Sequence, residues 1–188
     1  KVSVNEIRDV SIEDLLGREP VTLDMKGIAE KIENKTVLIT GAGGSIGSEL
    51  CRQLCLFKPK QLVLLGHGEN SIYTIDMELR NKYKDTIDFF PEIADIQDRE
   101  KMFSILKKYK PAFVFHAAAH KHVPLMEYNP QEAVKNNVFG TKNVADAAHE
   151  YGVSNFVLIS TDKAVNPPNV MGSTKRIAEM LIQNLATR

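Results

Sequence analysis

From Lys35 onward the chain alternates short apolar runs with longer stretches in which apolar residues return every three or four positions. Runs such as Gln61-Leu-Val-Leu-Leu65 and Ala112-Phe-Val-Phe115 lack polar alternation and are too short for helices, so they read as strands covered on both faces. The pattern predicts strands over 35–40, 61–66, 87–93, 111–117 and 154–160. Between and after them it predicts helices over 45–57, 70–83, 97–109, 130–150 and 170–187. Strand and helix in strict alternation imply an α/β fold, a doubly wound parallel sheet of Rossmann type with right-handed crossovers. Residues 1–34 do not follow this rhythm. Ser11 to Gly17 reads as a short capped helix ended by glycine, Arg18-Glu-Pro20 as a breaker, and Asp24 as the cap of a second helix with Ile28 and Ile32 on one face. This segment is either an arm lying on the domain or on another subunit, or a linker from a preceding part; 35–188 reads as one α/β domain.

Composition narrows the partners. Twenty-four basic and twenty-four acidic residues cancel, so no global field draws the chain to nucleic acid or an anionic membrane surface. Cys51 and Cys55 lie one helical turn apart, which suits two reduced, buried small hydrophobes and a reducing compartment. No apolar run reaches the roughly 18 residues that a membrane span needs, and no signal peptide opens the chain. A chain that starts on Lys1 reads as a cut from something longer.

Candidate chemistry sits where each strand ends, because open parallel sheets bind ligands outside the carboxyl ends of their strands. After the first strand comes Gly41-Ala-Gly43-Gly44-Ser45-Ile46-Gly47. Gly41 suits a tight turn, Gly43 and Gly44 let backbone N–H groups approach a diphosphate, and Gly47 lets the helix pack on the strand. A diphosphate laid over Gly43 to Ile46 would sit on the helix N-terminus. After the second strand, Glu69 and Asn70 stand about where an acid takes the ribose hydroxyls of NAD, although Glu69 also suits a helix N-terminal acid. No Lys or Arg lies between Leu65 and Tyr73 to meet an extra phosphate, which favours NAD over NADP. After the third strand, Asp95 and Ile96 offer a carboxylate and an apolar contact for adenine, with helix capping as the other use of Asp95.

The fourth strand runs into His116-Ala117-Ala118-Ala119-His120-Lys121-His122. No acid or thiolate shares this loop with His116, His120 and His122, so no metal site is expected. The alanines suit close approach of a flat ligand, with Lys121 or His122 facing an anionic substrate. The fifth strand leads to Ser160-Thr161-Asp162-Lys163, then Asn166, Met171 and Lys175. An adjacent carboxylate and ammonium at this crevice point to catalysis.

At these residues the chain resembles an extended short-chain dehydrogenase/reductase, and within it the nucleotide-sugar 4,6-dehydratases of bacterial polysaccharide biosynthesis, the CapD and PglF type. The motifs that carry the likeness are Thr40 to Leu50, Glu69-Asn-Ser71, His116 to Glu127, Asn137 to Thr141, Ser160 to Lys163 and Met171 to Arg176, together with Ile7-Arg-Asp9 and Asp14 to Val21. The resemblance implies NAD-dependent dehydration of a UDP-N-acetyl-hexosamine such as UDP-N-acetylglucosamine to a 4-keto-6-deoxy sugar nucleotide. It implies Thr161 on the C4 oxygen, Asp162 as acid for the departing C6 hydroxyl, Lys163 as C5 base, Lys175 on the nicotinamide ribose, and Lys121, His122 and Asn166 on the substrate side. The wider superfamily uses Tyr-x-x-x-Lys, whereas Met171 stands four before Lys175 here; the large dehydratases similarly carry Met. The family continues into a C-terminal substrate lobe beyond the last helix here, so this length is expected to be inactive alone. The likeness further implies a membrane-anchored whole protein at the cytoplasmic face and a homodimer through helices 130–150 and 170–187. A nucleotide-sugar 4-epimerase, or a non-catalytic NAD-binding module, is the alternative.

Overall fold

The computed structural model describes residues 24–187 apart from Lys84. The expected helix at Ser11 to Gly17, and the motifs at Ile7 and Asp14, lie outside the described residues. Five strands appear where apolar runs are shortest: β1 (Thr36–Thr40), β2 (Gln61–Gly66), β3 (Asp88–Ile93), β4 (Phe113–His116) and β5 (Asn155–Leu158). All neighbours are parallel, in the order β3-β2-β1-β4-β5. The order reverses between β1 and β4, which is the topological switch point of a Rossmann sheet. Register aligns Thr40 with Leu65 and with His116, and His116 with Leu158, so four strands finish at one level.

Helices cover both faces. Met25–Ile32 is α1, Ser45–Cys55 is α2, Glu69–Tyr83 is α3 and Arg99–Tyr109 is α4. Val37, Ile39, Leu62 and Leu64 pack against Cys51, Leu54, Ile72, Ile75 and Leu79 of α2 and α3. On the opposite face Leu38, Val63, Leu65 and Val114 meet Met102, Ile105 and Leu106 of α4. Successive strand residues thus bury to opposite sides, and each fully buried Leu or Ile contributes about 1.5–3 kcal/mol. The β4–β5 side of the sheet is less covered: Phe113 and Phe115 of β4 are only half-buried, and β5 at the edge alternates between exposed and half-buried. Asp24 caps α1 as expected, its carboxylate accepting from Gly27 N at 2.9 Å, and Ile28 and Ile32 pack into the first core. Cys51 and Cys55 are free and buried, and burial pushes the Cys55 thiol up to about 12. No described helix is long and apolar enough to cross a membrane.

The helix expected over 130–150 is present as one unbroken helical run, but it is not α throughout. After α5 (Val123–Tyr128) and Asn129, α6 (Pro130–Ala133) passes into a π-helix over Val134–Gly140 and on into α7 (Thr141–Glu150). Pro130 opens the new helix because its missing N–H is unneeded in the first turn. The last helix, α8 (Val170–Leu185), is capped by Asn169, whose side chain accepts from Gly172 N.

Candidate functional site

Gly41 holds φ +68, a left-handed conformation that costs little only without a side chain, and a Cβ there would stand 2.8 Å from Ala118 N. The turn therefore leans on the loop after β4. At its far side a Cβ on Gly47 would overlap the Gly41 carbonyl oxygen. A side chain caps the first turn of α1, α4 and α8, whereas α2, which follows the glycines, has no such cap, as α5, α6 and α7 have none. That leaves an uncapped helix N-terminus facing a glycine-lined groove, a place that favours an anion.

The groove is about 230 Å³ and is lined by Gly41, Gly43, Gly44, Gly66 to Gly68, Ser71, Asp95, Ile96, Ala117 to His120 and Asn136. A second hollow of about 270 Å³ adjoins it and shares Ala117, Ala119 and His120. Its other walls are Ile46, Lys121, Ile159, Ser160, Thr161, Lys163, Met171 and Lys175. A flat, elongated ligand with an anionic middle would fit across the two.

The structure thus brings together Gly41, Gly43, Gly44, Asp95, Ile96, Ala117 and Ala118 in the groove, and Ile46, Lys121, Thr161, Lys163 and Lys175 in the hollow. It leaves Ser45, Gly47, Glu69, Asn70, Asp162, His122 and Asn166 out of both linings. Ser45 and Gly47 belong to the first turn of α2 and shape the groove from behind. Glu69 and Asn70 are exposed in the first turn of α3, and the wall expected from them is made by His67, Gly68 and Ser71. Helix N-terminal acid is the use that fits Glu69. Asp95 accepts from Gln97 N at 2.8 Å, while the cap of α4 is Asp98, so the capping alternative for Asp95 fails. His122 is the residue before α5, and Asn166 is exposed at φ +45.

Around the hollow, Thr161 Oγ1 donates to Asp162 Oδ1 at 2.9 Å, and Lys163 Nζ meets the same oxygen at 3.3 Å. These two contacts, the hydroxyl first, hold the Asp162 carboxyl below the usual carboxylate range. Its side chain is 85% exposed, so the residue expected to donate a proton is an ionised carboxylate in the free protein. Lys175 is the opposite case. It is buried, Nζ donates to the Ile159 carbonyl at 2.7 Å, and burial lowers its pKa. Met171 is buried against Met126 and Ala133 while also facing the hollow.

Beneath the Gly41 turn, His116 is fully buried, with Nδ1 2.6 Å from Thr40 Oγ1 and Nε2 2.9 Å from Thr141 Oγ1. Both ring nitrogens are thus engaged, and among the described residues no group of three or more His, Cys, Asp or Glu converges. Burial, then the Lys175 charge, lowers the His116 pKa to about 3 from an ordinary 6.5. Between those values the unfolded chain takes up a proton that the folded one refuses, so stability falls as pH drops through the window. At pH 5 the loss from this group is about 2 kcal/mol. Urea unfolding at pH 7 and pH 5 is expected to show that the drop shrinks by this amount in His116→Gln; equal drops in both proteins would refute it.

Two residues of the site had no role assigned from sequence, although Asn137 opens one of the motifs that carry the likeness. Asn136 lines the groove, and the adjacent Asn137 is buried behind it. Neighbouring residues on an α-helix point about 100° apart; the π-helix brings both inward. His120 faces both compartments.

A family model described as polysaccharide biosynthesis protein matches residues 37–188. The probable polysaccharide biosynthesis protein EpsC of Bacillus subtilis is 65% identical over 183 residues, covering 97% of this chain and 31% of that protein. An inverting UDP-N-acetylglucosamine 4,6-dehydratase of Campylobacter jejuni is 37% identical over 149 residues, covering 78% of this chain and 42% of the enzyme. UDP-glucose 4-epimerases also match, at 34% identity over 152 residues in Rickettsia canadensis. Among solved structures, Pen from Bacillus thuringiensis superposes with a TM-score of 0.76 at 36% identity, covering 82% of this chain and 48% of that one. The chain therefore spans less than half the length of these relatives.

Proposed function

Because the chain belongs to the polysaccharide biosynthesis protein family, related to nucleotide-sugar dehydratases and epimerases, we propose that it is the NAD-binding part of a UDP-N-acetyl-hexosamine 4,6-dehydratase. One observation carries the reading: Thr161 and Lys163, with Asp162 between them, border a hollow that opens into the glycine-lined groove and has Met171 where an epimerase would want Tyr. The uncapped N-terminus of α2 and the closeness of Gly41 to the Ala117–Ala118 backbone fit the diphosphate of NAD. When bound, NAD supplies a hydride acceptor that becomes a hydride donor later in the same turnover.

The chain's own residues supply the proton transfers. Oxidation of the sugar C4 hydroxyl to a ketone makes the C5 proton acidic, and Lys163 is placed to take it. Burying an amine disfavours its charged form; a sugar seated over the half-exposed Lys163 would turn an ion-paired ammonium into a base. As Lys163 turns to the sugar it passes its ammonium proton to Asp162, its ion-pair partner, which leaves a neutral amine to take the C5 proton and a carboxylic acid to protonate the departing C6 hydroxyl. Thr161 then hydrogen-bonds the C4 oxygen, and Lys175, fixed by the Ile159 carbonyl, supports the ribose of the cofactor. A 4-epimerase offers the Asp162–Lys163 pair no comparable task.

Incubating the full-length protein with UDP-N-acetylglucosamine and NAD is expected to yield a 4-keto-6-deoxy product, detected by mass spectrometry as loss of water. A product of unchanged mass and inverted C4 would replace this reading with epimerisation. Titration calorimetry is expected to give tighter binding of NAD than of NADP, because neither Lys nor Arg stands in the wall made by His67, Gly68 and Ser71. Tighter NADP binding would overturn the assignment of that wall.

A further inference from the structure

Resting on the dehydratase reading, we infer that His120 is a catalytic residue that accepts the proton of the sugar C4 hydroxyl, the task that Met171 cannot perform. A thioether has no useful basicity, and Met171 occupies the place four before Lys175 from which a tyrosine would otherwise work. Some other group bordering the same hollow must take the proton as the hydride leaves C4 for the bound nicotinamide: the C–H and O–H bonds break, the C=O bond forms, and the proton ends on the acceptor.

The other polar groups of the hollow have other tasks or no basicity. Lys175 donates to the Ile159 carbonyl, Lys163 is assigned to the C5 proton, and Thr161 is an aliphatic hydroxyl, which can hydrogen-bond the C4 oxygen but is too weak a base to keep its proton. Ser160 donates to Glu179 at 2.6 Å, a carboxylate held low by that bond and by Arg176 and so a weak proton sink. Lys121 is an exposed amine, a side-chain type that carries its proton in water. Histidine is the side-chain type that ordinarily offers a neutral acceptor nitrogen near physiological pH.

His120 is also held for the task. Its N–H donates to Asn137 Oδ1 at 2.8 Å and its carbonyl accepts from Asn137 Nδ2 at 2.9 Å, so one buried amide grips its backbone from both sides. The same Nδ2 donates to Thr174 Oγ1 at 3.1 Å, and that hydroxyl donates to the Met171 carbonyl at 2.7 Å. The loop residue is thereby registered against the very helical turn that lacks a proton acceptor. It also stands where groove and hollow meet, the junction at which hydride acceptor and sugar must face each other. A backbone fixed in this way launches the imidazole from a constant position at that junction.

The test uses the full-length protein. His120→Gln is expected to slow the single-turnover rise of reduced nicotinamide at 340 nm by about 100- to 10,000-fold. It should still exchange the C5 proton of added 4-keto-6-deoxy product with deuterium from solvent, since that step needs only the C5 base. Rates within threefold of the parent would overturn the proposal, as would loss of both reactions together with unchanged NAD affinity. A readout independent of turnover is carbethoxylation of His120 by diethyl pyrocarbonate, followed by peptide mass spectrometry. NAD and UDP-N-acetylglucosamine together are expected to protect His120, and unchanged labelling at saturation would remove it from the site. If the parent protein itself formed no dehydrated product, the dehydratase reading would fail; protection of His120 without that product would leave it a ligand contact and overturn its catalytic role.

Discussion

Lys163→Ala in the full-length protein is expected to lower dehydration of UDP-N-acetylglucosamine by about 100- to 10,000-fold, the usual cost of losing one acid or base. NAD affinity should hardly change, because Lys163 borders the hollow and not the groove. Asp162→Asn should act in the same direction, since an amide cannot deliver a proton to the C6 oxygen. Met171→Ala serves as the contrast. It removes packing against Met126 and Ala133, so it should cost stability while leaving proton exchange at C5 nearly intact. Solvent-deuterium incorporation at C5 of the 4-keto-6-deoxy product reads the step directly. Exchange at the parent rate in Lys163→Ala would show that the base lies elsewhere.

Gly47→Ala is expected to damage cofactor binding and folding together. The new Cβ would overlap the Gly41 carbonyl oxygen and press on the Gly41 carbonyl carbon at 2.7 Å, both backbone atoms that no rotamer change can move. Overpacking of this kind costs about 1–3 kcal/mol, and relief requires α2 to draw away from the turn whose amides face the groove. A loss of 1.4 kcal/mol in binding is a factor of ten, so NAD affinity should fall by about tenfold or more. Thermal unfolding and calorimetric titration on the same sample check it. An unchanged melting temperature with unchanged affinity would mean that the close approach of Gly47 to Gly41 is not needed.

What could be read from sequence was local. The β1–glycine–α2 unit was legible because strand, turn and helix follow one another within about a dozen residues, and every cue lies inside that window. The cap of α1 was legible for the same reason. The α5 helix was not, because Pro124 near its start reads as a loop residue although the first turn of a helix tolerates proline. The second half of the site depends on how loops leave β4 and β5, and hydrophobic period carries no information about that. Lys121 and Lys163 turn into the hollow while their neighbours His122 and Asp162 do not line it. The role of His120 depends on Asn137, 17 residues away, and on Thr174, 37 further on. Such contacts exist only after the sheet has brought three elements together.

The π-helix has a consequence for how this chain tolerates change. A seven-residue π segment is an α-helix with surplus length, held open because tertiary partners use the bulge. Deleting one residue from 134–140 would restore i to i−4 pairing and locally a better helix, so the shortened chain should still fold. Everything before the deletion would be turned by about 100° relative to α7, and Asn136 and Asn137 could no longer both face inward. A chain shortened here should keep a well-formed domain with a loosened 117–122 loop, whereas substitutions at Asn137 would leave the helix register intact and unfasten that loop alone. At this one segment the stability of the fold and the placement of the loop can thus be varied separately.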